Sequence, residues 1–154
     1  MGGNNDRIQS FEVTVNGKSR SYPVGITFGE IASVYQKEYP YPIALAVRNG
    51  KIKELFKKID QDCTVDFLTL ADDTGHKSYN RTATMILMKA INDVVGADKI
   101  EQIKMEFAIG NGYYCAKKGD FEITQELVDR IKAKMQSYIE KDYCIIEKSM
   151  PIDE

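Results

Sequence analysis

Residues 11–35 read Phe-Glu-Val-Thr-Val-Asn-Gly-Lys-Ser-Arg-Ser-Tyr-Pro-Val-Gly-Ile-Thr-Phe-Gly-Glu-Ile-Ala-Ser-Val-Tyr. Phe11, Val13 and Val15 alternate with polar residues, the period of a strand with one buried face. Asn16-Gly17 is the dipeptide of a two-residue hairpin turn, where both positions need a positive φ. Ser19 to Tyr22 returns as a second strand, and Pro23 stops it. The period then changes. Thr27-Phe28-Gly29-Glu30 fits a capping box, in which the Thr hydroxyl accepts a backbone N–H and Glu reaches back to the cap. Phe28, Ile31, Ala32 and Tyr35 fall at i, i+3, i+4 and i+7, one face of a helix.

Outward from that stretch, Pro40 and Pro42 end the helix. Ile43-Ala44-Leu45-Ala46-Val47 is a short apolar run, expected as a buried strand, and Asn49-Gly50 turns the chain again. Residues 51–59 mix charges with Leu55, Phe56 and Ile59, three side chains to bury. Thr64-Val65-Asp66-Phe67-Leu68 reads as a last strand. The order ββ-α-ββ is that of a β-grasp, ubiquitin-like fold, an analogy that does not fix function.

Residues 72–78, Asp-Asp-Thr-Gly-His-Lys-Ser, read as a polar linker. Ala83, Ile86, Leu87, Ala90, Ile91 and Val94 then form a helical stripe, with Gly96 as its stop. Ile103, Met105, Phe107 and Ile109 alternate as a strand. Gly110-Asn111-Gly112 turns it, and Tyr113-Tyr114-Cys115-Ala116 pairs back. Neighbours on a strand alternate, so one of Tyr113 and Tyr114 is expected inside and one outside. Thr124 is an N-cap, with Ile123 and Val128 placed for a hydrophobic staple. Leu127, Ile131, Met135 and Tyr138 make the stripe of this last helix, over 124–141. Cys144-Ile145-Ile146 is a final short strand before Pro151. The expected class is α+β, in two small domains.

With 154 residues, 43% of them hydrophobic and 29% charged, the composition is that of an ordinary soluble protein. No apolar run approaches the ~20 residues that span a bilayer, and Met1 to Asp6 lacks the basic and apolar regions of a secretory signal. Residues 1–71 carry 9 basic against 8 acidic side chains and residues 72–154 carry 12 against 15. Neither half is a strongly basic nucleic-acid binder, so any RNA contact must come from a local patch. Cys63, Cys115 and Cys144 are odd in number, without CxxC spacing. They read as reduced, partly buried thiols of a cytoplasmic protein, with no metal site and no cofactor. A catalytic cysteine needs a base, and His76 is the only histidine.

The binding candidate is the run Arg48, Lys51, Lys53, Lys57 and Lys58 against one acid, Glu54. Five cations on a small surface can hold phosphates through charge-assisted contacts. The alternative is a solvated charged face, the usual fate of such runs. Tyr39 and Tyr41 flank Pro40, where packing on the prolines is the expected use. Glu126 and Arg130 form an i,i+4 pair in a mixed, solubilising face.

Val15-Asn16-Gly17-Lys18, Tyr22-Pro23-Val24-Gly25-Ile26-Thr27, Ala46-Val47-Arg48-Asn49-Gly50 and Asp66-Phe67-Leu68 together resemble the TGS domain, a β-grasp module, over roughly residues 8–70. The second half resembles the second N-terminal domain of threonyl-tRNA synthetase. Ile109-Gly110-Asn111-Gly112-Tyr113-Tyr114 is similar to that family's Gly-Phe-Tyr-Tyr hairpin, and Phe121-Glu122-Ile123-Thr124-Gln125-Glu126-Leu127 to its helix start. The resemblance implies a TGS domain at 7–71, the linker at 72–78, and a synthetase-editing-like domain at 79–154, truncated at its C-terminus.

In that family a His-x-x-x-His pair opens the helix and serves hydrolytic editing, together with a later Cys-x-x-x-His element. Here the matching positions are Asn80 and Thr84, and the later element would fall past Glu154. An amide and a hydroxyl cannot replace imidazoles that bind metal or move protons near neutral pH. The resemblance therefore implies no editing enzyme, and capping chemistry accounts for Asn80 and Thr82.

A bacterial family of uridine kinase-like nucleoside kinases carries the same pair of domains with a degenerate histidine pair and a Tyr-x-Arg-Ser/Thr start, as in Tyr79-Asn80-Arg81-Thr82. That resemblance implies a non-catalytic regulatory or ligand-binding region of a kinase, a transferase. The chain itself has no phosphate-binding loop. The alternative is a tRNA-binding N-terminal fragment of a threonyl-tRNA synthetase-like protein. The partners implied are RNA, a nucleotide or a downstream kinase domain, and neither membrane nor DNA.

Overall fold

The computed structural model describes residues 10–110, 112–143, 145, 146, 148 and 151. It is a mixed α+β structure. Strands β1 (Ser10–Val15) and β2 (Lys18–Pro23) lead into helix α1 (Phe28–Tyr35). Strands β3 (Ile43–Arg48), β4 (Lys51–Lys53) and β5 (Cys63–Thr69) follow, and helix α2 spans Asp73–Val95. Strands β6 (Ile100–Ile109) and β7 (Gly112–Gly119) and helix α3 (Gln125–Glu140) complete it. The chain divides into two compact units, Met1–Arg81 and Thr82–Glu154, and the division falls within α2.

In the first unit five strands form one sheet in the order β2-β1-β5-β3-β4. β1 and β5 run parallel and the other pairs antiparallel. Both hairpin turns have their Asn-Gly pairs at positive φ, 51° and 74° at Asn16-Gly17 and 47° and 78° at Asn49-Gly50, the geometry that matches strand twist. Thr27 caps α1 with both halves of the capping box formed. Phe28, Ile31, Ala32 and Tyr35 all turn inward, onto Val13, Val15, Ala46, Val65 and Phe67 of the sheet. The helical and strand periods read from the sequence thus meet in one core.

The expected linker at 72–78 is helical from Asp73 onward. The Asp72 carboxylate accepts the Thr69 backbone N–H at 2.6 Å and its hydroxyl at 2.8 Å, and the His76 N–H donates to the Asp72 carbonyl at 2.8 Å. The last is the first bond of the helix, and the Asp72 carboxylate closes the tight turn between β5 and α2. Gly75 is buried in the first turn, and a Cβ there would stand 2.0 Å from the Thr69 carbonyl oxygen. A polar string gives no sign of such a close approach.

The second unit holds the later part of α2, the β6–β7 hairpin and α3. The α2 stripe is found as expected, with Ala90 and Ile91 fully buried, and Gly96 closes the helix by donating its N–H to the Asn92 carbonyl. Thr124 caps α3 by accepting the Leu127 N–H at 3.2 Å. The Ile123–Val128 staple is not formed as a buried contact, since both side chains are exposed, and three further expectations fail. Tyr113 and Tyr114 are both exposed, at 52% and 47%, because the described sheet here has only two strands. A register shift between Met105 and Phe107 breaks the alternation of β6 and leaves Phe107 and Ile109 exposed. Ile145 and Ile146 form no strand, and Cys144 lies outside the described residues, as does Asn111 of the expected turn. No helix among the described residues is long and apolar enough to cross a membrane.

Candidate nucleic-acid interface

The five cations singled out by sequence all lie in the first unit, on the β3–β4 hairpin and the segment after it. Arg48 ends β3, and Lys51 and Lys53 bound β4, the outer strand of the sheet. The register pairs Arg48 with Lys51 and Ala46 with Lys53. Lys51, Lys57 and Lys58 are exposed and Lys53 is half-buried.

The five are not equivalent. Arg48 forms an ion pair with Asp60 at 2.8 Å and keeps only 16% of its side chain exposed, so its charge is engaged within the fold. Lys58 lies near Glu30, whose carboxyl is held below its ordinary pKa first by the Thr27 backbone N–H, then by the Thr27 hydroxyl, and to a smaller degree by the Lys58 charge. Arg48 aside, the exposed cations of this surface are Lys51, Lys57 and, partly offset by Glu30, Lys58.

Backbone hydrogen bonds fix the segment that presents them. The Gly29 N–H donates to the Leu55 carbonyl at 2.7 Å, the Phe28 N–H to Lys57 at 3.0 Å, and the Ile59 N–H to Ile26 at 2.9 Å. Ile59 is buried and Leu55 packs against the core. Phe56, expected inside, is 60% exposed, with the Lys57 ammonium 4.8 Å from its ring centroid. Leu55 and Phe56 lie in a turn after β4, where no strand or helix period assigns their directions. Tyr39 is no candidate for base stacking. Its ring meets Phe67 edge-on at 6.1 Å, and its hydroxyl donates to Asn16. Tyr41 stays 54% exposed.

The two positions that the resemblance matched to a histidine pair lie on one helix. His76, Asn80 and Thr84 follow each other at four-residue steps in α2, and the last two are half-buried. His76 is therefore part of α2 and not of a linker, but it remains a single imidazole. Among the described residues no cluster of three or more His, Cys, Asp and Glu is placed to hold a metal. Burial raises the thiol pKa of both Cys63 and Cys115, away from the reactive thiolate.

A cleft of about 720 Å³ lies within the second unit, between α2 and α3. Asp93 and Tyr138 tie its two sides together, missed by the sequence reading because they are 45 residues apart. The Tyr138 hydroxyl donates to Asp93 at 2.5 Å and Lys89 donates to the same carboxylate. Asp93 is accordingly held below its ordinary pKa, first by Lys89 and then by Tyr138. Desolvation and the carboxylate push Tyr138 up to about 12. Thr82 and Met85 line this cleft, whereas Asn80 and Thr84 do not.

The chain is similar to threonine–tRNA ligases. It is 30% identical over 141 residues to the enzyme of Clostridium kluyveri and 30% identical over 145 residues to that of Thermotoga petrophila. The enzyme of Acetivibrio thermocellus is 27% identical over 139 residues. Each similarity covers 90% of this chain and 21% of the relative, so the chain spans about a fifth of the ligases it matches. No family model matches the chain.

Proposed function

We propose that this chain is the tRNA-contacting, non-editing part of a threonyl-tRNA synthetase-like protein. The first unit, in this reading, is a TGS-type β-grasp domain over residues 7–71. The second, over 79–154, is built like the synthetase's editing domain. The observation that carries the proposal is the similarity to threonine–tRNA ligases over 90% of the chain. The solvent-facing lysines on β4 and the pinned segment after it supply the contact surface. The relatives named above are threonine–tRNA ligases, and the nucleoside-kinase reading receives no support from them. Hydrolytic editing is left out of the proposal because Asn80 and Thr84 offer no imidazole for proton transfer.

The test is a low-salt binding titration with tRNA. Affinity should fall as salt rises, because phosphate contacts release counterions. Neutralising Lys51, Lys53, Lys57 and Lys58 together should weaken binding and flatten the salt slope. Absence of binding at low salt would rule the reading out. In a second assay, a mischarged aminoacyl-tRNA should survive incubation with the chain no less well than in buffer.

A further inference from the structure

We infer that Phe56 is a nucleobase-stacking residue, and that its ring with the lysines around it forms a site for an unpaired nucleotide of RNA. The inference rests on the RNA-contacting reading above and adds the class of nucleotide recognised.

The starting observation is a contradiction in burial. Leu55 packs against the core and Ile59 is 2% exposed, yet the larger Phe56 between them keeps 60% of its surface in water. The ring is not on a loose tip. The flanking backbone is held by Leu55 and Lys57 accepting from Gly29 and Phe28, by Ile59 donating to Ile26, and by the Lys57 N–H closing a turn onto Glu54 at 3.1 Å. An aromatic side chain displayed from a fixed segment binds without first being ordered, which removes part of the entropy cost of association.

The charges beside the ring match a nucleotide. The Lys57 ammonium lies over the Phe56 ring, 4.8 Å from its centroid, so a base would stack on the opposite face of this 60% exposed side chain with its phosphate toward the neighbouring lysines. Lys58 follows in sequence and Lys51 and Lys53 edge the same sheet. Of the two acids in residues 51–60, Asp60 is bound to Arg48 and Glu54 is exposed. An aromatic ring among cations is the pairing used to hold single strands, since every base offers a π face. A base inside a duplex is stacked on both sides, so the ring selects loops, bulges and ends.

The chain contains no tryptophan, so Phe56→Trp introduces a single fluorescent reporter at the site. It would be titrated with a single-stranded RNA 12-mer of mixed sequence, with the same 12-mer in a duplex, and with tRNA. Stacking predicts quenched emission with the single strand and with tRNA, and little change with the duplex. Phe56→Ala and Phe56→Leu should weaken single-strand binding about tenfold without altering its salt slope. Thermal melts of these variants should match the parent, because the ring lies outside the core. Binding with unquenched Trp, or Phe56→Ala binding as tightly as the parent, would overturn the inference while leaving the lysine-based reading intact. No binding by the parent chain to any of the three RNAs would overturn both.

Discussion

Gly75 shows how one residue can have opposite expected effects at two levels. By helix propensity, Gly→Ala inside a helix stabilises by about 1 kcal/mol. In this fold the new Cβ would stand 2.0 Å from the Thr69 carbonyl oxygen and 2.9 Å from its carbon, both backbone atoms that cannot swing aside. We expect Gly75→Ala to lower the stability of the first unit by roughly 1–3 kcal/mol, the usual range for overpacking, readable as a drop in Tm. A rise in Tm would mean the α2 start is not packed this closely. Asp72, beside it, makes a pH prediction. Its carboxyl is held below the ordinary value, first by the Thr69 backbone N–H and then by the Thr69 hydroxyl. A lowered folded-state pKa contributes stability that is present above the unfolded value and lost as pH falls through the folded one. The Tm difference between the parent and Asp72→Asn should be full at pH 6 and shrink below about pH 4.

At the scale of elements, α2 and α3 are joined by the Asp93–Tyr138 hydrogen bond, which crosses the wall of the second unit's cleft. Ultraviolet titration of the tyrosines should show one phenol ionising near pH 12, and Tyr138→Phe should remove that step. If the late step persists in the variant, the bond does not hold Tyr138. The β6–β7 hairpin behaves differently from the sheet of the first unit. Phe107 and Tyr114 are register partners, and their rings stack at 5.1 Å while remaining exposed. Cross-strand aromatic pairs give a two-stranded ribbon local support, but most of the surface that would bury them is lacking among the described residues.

For the whole molecule, that contrast sets where protection lies. The first unit buries twelve side chains in one cluster drawn from α1, the sheet and the chain beside them, whereas among the described residues of the second only Ala90 and Ile91 are comparably enclosed. Local opening costs least where few apolar contacts are made. Amide exchange should be slowest in β1, β3, β5 and α1 and faster by orders of magnitude in β6 and β7. Equal protection in the two units would show that the hairpin is as well shielded as the sheet.

The sequence by itself determined the local order of this protein: the two Asn-Gly turns, the Thr27 capping box, the inward faces of α1 and β1, and the Thr124 cap. Each depends on residues within one or two turns of each other, so neighbouring chemistry suffices to fix it. It also placed Lys51, Lys53, Lys57 and Lys58 in one short surface segment. Only the tertiary structure decided that Arg48 is engaged, because its partner is Asp60, twelve positions on. The same holds for the helical state of residues 73–78, set by Thr69 and Ala44 packing on the α2 start. It holds for Phe56, which points outward because α1 and Ile26 hold its neighbours from the other side. Composition cannot carry these outcomes, since each depends on which distant backbone arrives alongside.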